Sequence, residues 1–257
     1  MISRPKPTLS IIIPVLNEAY SIRATLDAVA QLSERVEVLV VDGGSDDDTC
    51  EIASARGAKV IASECGRGVQ MQRGAQEALG DVFWFLHADT IVPKESAEVI
   101  IAALENTEVV GGNFDVHFSG GGWAARFMTS LYPQLRRLGL CYGDSAIFVR
   151  RDAYCKAGGI KAFPIFEDLD FLRDLRRTGN FVHLSSTVVT SSRRFEGRSF
   201  VITFARWVVL QLLYWLGGNP GSLARFYSPP GDSRKKLKTE NIRNISRPSG
   251  IYDDGKQ

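Results

Sequence analysis

The chain has 257 residues, 44% of them hydrophobic and 10% aromatic, enough to bury one sizeable core and too apolar for disorder over most of its length. With 31 basic against 29 acidic residues the formal net charge is +2, so no global field points to nucleic acid, and any basic partner surface must be local. The four cysteines, Cys50, Cys65, Cys141 and Cys155, show neither CxxC nor zinc spacing, which predicts reduced, structural thiols and a cytoplasmic protein.

Met1 to Pro7 leads straight into a strand-like run without a long apolar segment, so no export signal is expected. Leu9 to Val15 is a β-branched run stopped at Asn17-Glu18. Ser21 to Leu32 then has helical spacing, with Ile22, Leu26 and Val29 on one face and Ser21 as its cap. Val36 to Val41 is a second buried strand, ending at Asp42-Gly43-Gly44-Ser45. A helix over Thr49 to Arg56, a strand over Lys59 to Ala62, the loop Gly66-Arg67-Gly68 and a helix over Val69 to Leu79 follow. The fourth strand, Val82 to Leu86, comes after Gly80-Asp81 and delivers His87-Ala88-Asp89. This alternation predicts an α/β fold with a mostly parallel central sheet and helices on both faces.

From Val109 to Phe118 the pattern alternates like an edge strand and breaks at Gly120-Gly121-Gly122. Trp123 to Leu138 reads as an amphipathic helix, Ser145 to Val149 as a strand, Gly158-Gly159 as a turn, Phe171 to Arg177 as a helix and Val188 to Ser191 as a last short strand. The apolar stretch Phe200 to Leu216 is interrupted by Thr203, Arg206 and Gln211, short of the ~20 clean apolar residues that span a bilayer. Its apolar residues encircle a helix, which must therefore be covered by the fold, by a homodimer partner or by peripheral contact with the inner membrane face, with Arg193, Arg194 and Arg198 just before it. After Pro229-Pro230-Gly231 the chain turns polar and basic. One domain over 1–230 and a flexible tail over 231–257 are expected.

Three polar loops, at Asn17-Glu18, Asp42 to Ser45 and His87 to Asp89, each follow a buried strand, and a parallel sheet gathers such loops along one edge, where nucleotides bind. There Asp42 would meet a base or ribose, Gly43 and Gly44 would let backbone approach closely, and Asp89 would hold a cation bridging two phosphates. Residues 42–48 read equally as a solvated turn with helix-capping carboxylates. Gly66-Arg67-Gly68 and the following Arg73 fit a basic loop near phosphate, or a surface loop with a helix-face arginine. Glu167-Asp168 fits a general base on an acceptor hydroxyl, or helix N-terminal charge.

Ser10-Ile11-Ile12-Ile13-Pro14-Val15-Leu16-Asn17-Glu18, Val40-Val41-Asp42-Gly43-Gly44-Ser45 with Asp46 to Thr49, and Gly80-Asp81 through His87-Ala88-Asp89 together resemble the family 2 glycosyltransferases with the GT-A fold, over roughly residues 7–190. The resemblance implies inverting transfer of a sugar from a nucleotide-diphosphate donor, assisted by Mg²⁺ or Mn²⁺. It places Pro14 and Glu18 at the nucleobase, Asp42 on base or ribose, Asp89 at the metal-binding end of a DXD-type motif, and Asp168 of the Glu167-Asp168 pair as base. The expected donor site is Pro14, Asn17, Glu18, Asp42, Gly43, Gly44, Ser45, Arg67, Gly68, Arg73, His87 and Ala88, with Asp89 as metal ligand and Glu167 and Asp168 as catalytic carboxylates. His87 stands where the motif usually has Asp, as in the subset labelled arsenosugar-biosynthesis glycosyltransferases. Arg206-Trp207 lacks the preceding Gln of the QxxRW motif of processive synthases, so a single transfer is expected, to an acceptor that includes lipid-linked candidates. The rival readings are a nucleotidyltransferase, which the loop Val15 to Glu18 disfavours because it has no Gly-rich, lysine-bearing phosphate cradle, and a non-catalytic nucleotide-binding protein.

Overall fold

The computed structural model describes residues 8–193 and 199–227, so the expected tail over 231–257, the first seven residues, Arg194 and Arg198 lie outside the described residues. The first half follows the predicted alternation: β1 (Leu9–Val15), α1 (Ile22–Val29), β2 (Val36–Asp42), α2 (Thr49–Ala55), β3 (Lys59–Ala62), α3 (Arg67–Glu77) and β4 (Val82–Phe85). These strands lie in the order β3-β2-β1-β4 and all pair in parallel. The register sets Val15 beside Asp42 and Ile12 beside Phe85, so the loops after β1, β2 and β4 leave the sheet at the same edge.

The second half adds β5 (Thr90–Ile91), α4 (Ser96–Ala103), β6 (Val109–Ser119), α5 (Trp123–Arg137), a 3-10 turn at Gly143–Ser145, β7 (Phe148–Arg150), α6 (Arg151–Lys156), α7 (Glu167–Leu175), β8 (Asn180–Ser191), α8 (Phe200–Trp215) and α9 (Pro220–Leu223). The sheet continues β4-β7-β6-β8-β5, with β6 and β8 parallel and the other new pairs antiparallel, giving a mixed α/β fold built on a parallel half.

Side chains alternate across a strand, and β1 divides the core accordingly. Ile11, Ile13 and Val15 pack with Leu26, Val29 and Ala53 of α1 and α2 on one face, while Ile12 packs with Met71 and Ala75 of α3 and with Phe171 and Leu175 of α7 on the other. Burial on both faces explains why β1, β2 and β4 read as predominantly apolar runs.

Several elements differ from the sequence expectation. Helix α3 starts at Arg67, two residues before the apolar periodicity begins. Helix α7 starts at Glu167, four residues early, because Glu167, Asp168 and Asp170 sit in the first turn, where the positive helix end favours carboxylates. Strand β8 has twelve residues: its first part is polar and half-exposed, and pairing with β6 rather than apolar pattern holds it. Strand β7 starts only at Phe148, since Ser145 ends the 3-10 turn and Ala146 takes a left-handed φ of 52°. Ser21 does not cap α1 with its side chain; its hydroxyl donates to the Glu18 carboxylate at 2.5 Å. Of the four free thiols only Cys141 is buried, and Cys65 and Cys155 are exposed, which corrects the expectation that all are structural.

Candidate active site

The edge formed by β1 and β2 is tied together loop to loop. Asn17, at a left-handed φ of 57°, donates its backbone N–H to Ser45 Oγ and accepts from the Asp46 N–H, both at 2.8 Å. The Glu18 N–H donates to Thr49 Oγ1 at 2.8 Å. Asp42 turns back on its own loop, accepting from the Gly44 N–H at 3.0 Å and from Ser45 Oγ at 2.5 Å, so it stabilises the turn that would cradle a nucleotide. Gly44 takes φ +93°, a conformation that side chains resist, and the Gly43 N–H caps Val15 O at 3.0 Å. Pro14 is half-buried in β1, beside Val41.

Beneath this edge lies Gln70 of α3, only 4% exposed, whose Nε2 donates to Val15 O and Val41 O at 2.7 Å each. One amide thus joins the ends of two strands and the helix that follows. Gly68, two residues earlier, lets α3 approach the 161–163 segment: a Cβ there would meet Lys161 O at 2.5 Å.

The His87-Ala88-Asp89 loop leaves β4 as a tight turn. Thr25 Oγ1 of α1 donates to the buried Ala88 O at 2.8 Å. His87 Nδ1 lies 3.0 Å from Asp144 Oδ1 in the 3-10 turn, and its Nε2 lies 3.4 Å from Arg67 Nη1. Asp89 sits 3.3 Å from Arg193 Nε, and the same guanidinium pairs with Glu18. Burial raises the Asp89 pKa, against the opposing pull of His87 and Arg193, with Asp144 and Glu18 adding further negative charge.

Glu167 and Asp168 open α7 and face the same region. Glu167 is 1% exposed, pairs with Arg67, and its Oε2 has no hydrogen-bond partner among the described residues. Asp168 accepts from the Gly143 N–H and from its neighbour Leu169 N–H, each at 2.8 Å, and stands 3.6 Å from Arg67 Nη2. Burial raises its pKa, Arg67 lowers it, and Glu167 raises it again, so the net shift is upward. Burial opposes the charge of Arg67, yet Glu167 and Asp168 outweigh it and hold the guanidinium protonated. Among the described residues the non-glycine positive φ values fall at Asn17, Ala146 and Phe166, all next to these loops, a distribution that places backbone strain around the site.

The structure therefore gathers Glu18, Arg67, His87, Asp89, Glu167 and Asp168 into one connected set. Arg73 does not join it: its guanidinium pairs with Glu77, itself paired to Lys59, on the outer side of α3. Sequence reasoning missed Gln70, Asp144 and Arg193. In the sequence Arg193 is only a charge preceding an apolar run, and Asp144 lies 57 residues beyond His87 with no motif around it.

A hard cation held against a diphosphate needs one or two protein carboxylates, with phosphate and water oxygens completing the shell. The residues fit that pattern. Asp89 presents the carboxylate at the end of the loop after β4, with Asp144 and Glu18 adding negative charge nearby and Arg193 as its present counter-charge. Among the described residues no cluster of three or more His, Cys, Asp or Glu forms a cage, so the remaining ligands would come from the nucleotide and water.

Fold and site together define an α/β enzyme of the GT-A type. The chain belongs to glycosyl transferase family 2, whose family model matches residues 10–156, and it is an enzyme of the glycosyltransferase type. It is 30% identical over 210 residues to the PGL/p-HBAD biosynthesis glycosyltransferase of Mycobacterium tuberculosis, covering 76% of this chain and 80% of that protein. Among solved structures, glucosyl-3-phosphoglycerate synthase from M. tuberculosis in complex with Mn²⁺ and UDP-glucose aligns with TM-score 0.59 and 21% identity, covering 83% of this chain and 80% of that one. TarS 1–349 of S. aureus in complex with UDP-GlcNAc aligns with TM-score 0.58 and 16% identity, covering 85% of this chain and 70% of that one. At these identities the structural likeness establishes the fold.

Proposed function

We propose that the chain transfers a single sugar from a nucleotide-diphosphate donor, a UDP-sugar first among candidates, to an acceptor hydroxyl with inversion. The observation that carries this reading is the unbroken run of contacts Asp144, His87, Arg67, Glu167 and Asp168, which ties the donor-side loop after β4 to the buried carboxylate at the head of α7. The relatives bound to UDP-glucose with Mn²⁺ and to UDP-GlcNAc support the donor class. The His-Ala-Asp form of the motif at residues 87–89 supports placing the chain in that subset of the family.

In this reading the loops after β1 and β2 bind the nucleoside, with Asp42 fixing the turn and Glu18 and Arg193 closing it. Asp89 would hold Mg²⁺ or Mn²⁺, which would supply charge neutralisation for the leaving diphosphate. Asp168 takes the acceptor hydroxyl proton through a carboxylate whose raised pKa makes it a stronger base than an ordinary aspartate. The acceptor oxygen forms its bond to the anomeric carbon as the bond to the diphosphate oxygen breaks on the opposite face. Arg67 holds Glu167 and faces Asp168 with its positive charge, while the Gly143 N–H orients Asp168 Oδ2. The exposed thiols of Cys65 and Cys155 favour a reducing, cytoplasmic compartment.

A screen of UDP-, GDP- and dTDP-sugars by thermal shift with and without Mn²⁺, followed by an assay for nucleoside diphosphate release, tests the reading. A sugar nucleotide that raises Tm with Mn²⁺ and is turned over supports it. Pyrophosphate release from a nucleoside triphosphate would favour a nucleotidyltransferase, and binding without turnover a non-catalytic protein.

A further inference from the structure

Helix α8 is apolar nearly all round: its inner half is packed against the fold, and its outer half is exposed. Inward, Phe200 and Phe204 meet Trp123 and Phe127 of α5, Trp207 packs on Tyr142 at 4.7 Å, and Leu210 joins Ile165, Phe166 and Leu223. Outward, Val201, Ile202, Val209, Leu212, Trp215 and Leu216 are between 49% and 84% exposed. At 3.6 residues per turn these side chains share one half of the helix, with Arg206 at its border. The patch continues onto α5, where Trp123 is 57% and Phe127 44% exposed. Soluble surfaces rarely leave so many large apolar side chains contiguous without a partner.

Charge selects the partner. From Ser199 to Tyr227 and through all of α5 the sequence holds no aspartate or glutamate, while Arg126, Arg206 and Arg225 are exposed. The stretch Arg234-Lys235-Lys236 adds charge of the same sign further along. A second copy pairing through this face would set two surfaces of the same sign together, since neither α8 nor α5 carries an aspartate or glutamate. An anionic lipid surface answers both features, taking the apolar half among its acyl chains and the arginines at its head groups.

We infer that α8, flanked by the exposed part of α5, lies on an anionic membrane surface and holds the active site at that surface. The inner face of α8 supplies the geometry. Tyr214 OH donates to Asp170 Oδ1 at 3.0 Å and its ring stacks on Phe166, the residue before Glu167, at 4.9 Å. Gln211 Oε1 accepts from Tyr142 OH at 2.9 Å, next to the Gly143 that holds Asp168. A bilayer touching the outer side of α8 is thus about one helix diameter, ~10 Å, from the carboxylates of α7. Resting on the glycosyltransferase reading, this makes the acceptor a hydroxyl carried on a membrane-bound lipid.

Co-sedimentation of the full chain with vesicles tests the surface without any donor. We expect pelleting with phosphatidylglycerol–phosphatidylcholine vesicles, little with pure phosphatidylcholine, and release at 1 M salt, where charges are screened within about 3 Å. The exposed-face variant Ile202→Ser/Leu212→Ser, with circular dichroism and Mn²⁺-dependent donor binding unchanged, should lower the bound fraction on the order of tenfold. Failure of wild type to pellet with either vesicle, or equal pelleting of wild type and the folded variant, overturns the inference. So does a dimer by analytical ultracentrifugation that the same variant dissociates and that vesicles leave intact. Because donor binding is read separately, failure of this surface leaves the donor-site reading standing, and failure of the latter leaves vesicle binding to be judged alone.

Discussion

Arg67 pairs with Glu167 while its Nη2 stands 3.6 Å from Asp168 Oδ2, so one guanidinium from the start of α3 holds both carboxylates at the head of α7. Burial pushes the Asp168 pKa up and Arg67 pulls it down. The basicity of the proposed base is therefore tuned, against the effect of burial, by a residue on a helix far earlier in the chain.

That balance fixes a pH signature. Activity needs Asp168 ionised, so kcat/KM should fall as pH drops through a pKa above the usual aspartate range. Arg67→Gln removes the main downward pull and should move this acid limb to higher pH. An unmoved limb would separate Arg67 from the base. In the same window the native state binds more protons than the unfolded chain, so this one group makes stability fall as pH rises through its folded pKa.

Asp168→Asn keeps the shape and the hydrogen bond from Gly143 but removes the proton acceptor. Donor affinity by calorimetry should stay within a few-fold while turnover drops by about 10²–10⁴. Normal turnover per folded molecule, with lowered Tm, would assign Asp168 to capping α7.

Gln70→Ala removes the buried amide donor of Val41 O and one of the two donors of Val15 O, which keeps the Gly43 N–H, a loss of about 1–3 kcal/mol in denaturant unfolding. Because those carbonyls end the strands that carry Asn17 and Asp42, donor affinity should weaken while turnover at saturating donor holds. Unchanged donor affinity in the folded variant would limit Gln70 to stability.

The sequence announced β1, β2, β4 and their loops because strands buried on both faces leave runs dominated by β-branched and other apolar residues, broken only at Ser10, Pro14 and Glu37, and a parallel sheet has to align their ends. It was silent on the contacts that turn those loops into a site. Asp144 meets His87 because β7 pairs with β4, and Arg193 meets Asp89 and Glu18 because β8 pairs with β5 just after Asp89. Strand β8 hid for a related reason, since its polar first part around His183 to Thr187 is held by register with β6 rather than by apolar alternation. Arg73 and Arg67 share a helix and a charge, and periodicity alone did not tell which one turns inward. Packing does, with Gly68 pressed on the 161–163 segment and Arg73 left beside Glu77.

The central claim is that a divalent cation and a nucleotide diphosphate meet at Asp89. Calorimetry of the preferred nucleotide diphosphate with and without Mn²⁺, on wild type and Asp89→Ala, tests it most directly. The account predicts Mn²⁺-dependent binding by wild type and loss of that dependence in the variant, with any residual binding indifferent to the metal. The same Mn²⁺-dependent affinity in a folded Asp89→Ala protein would contradict it.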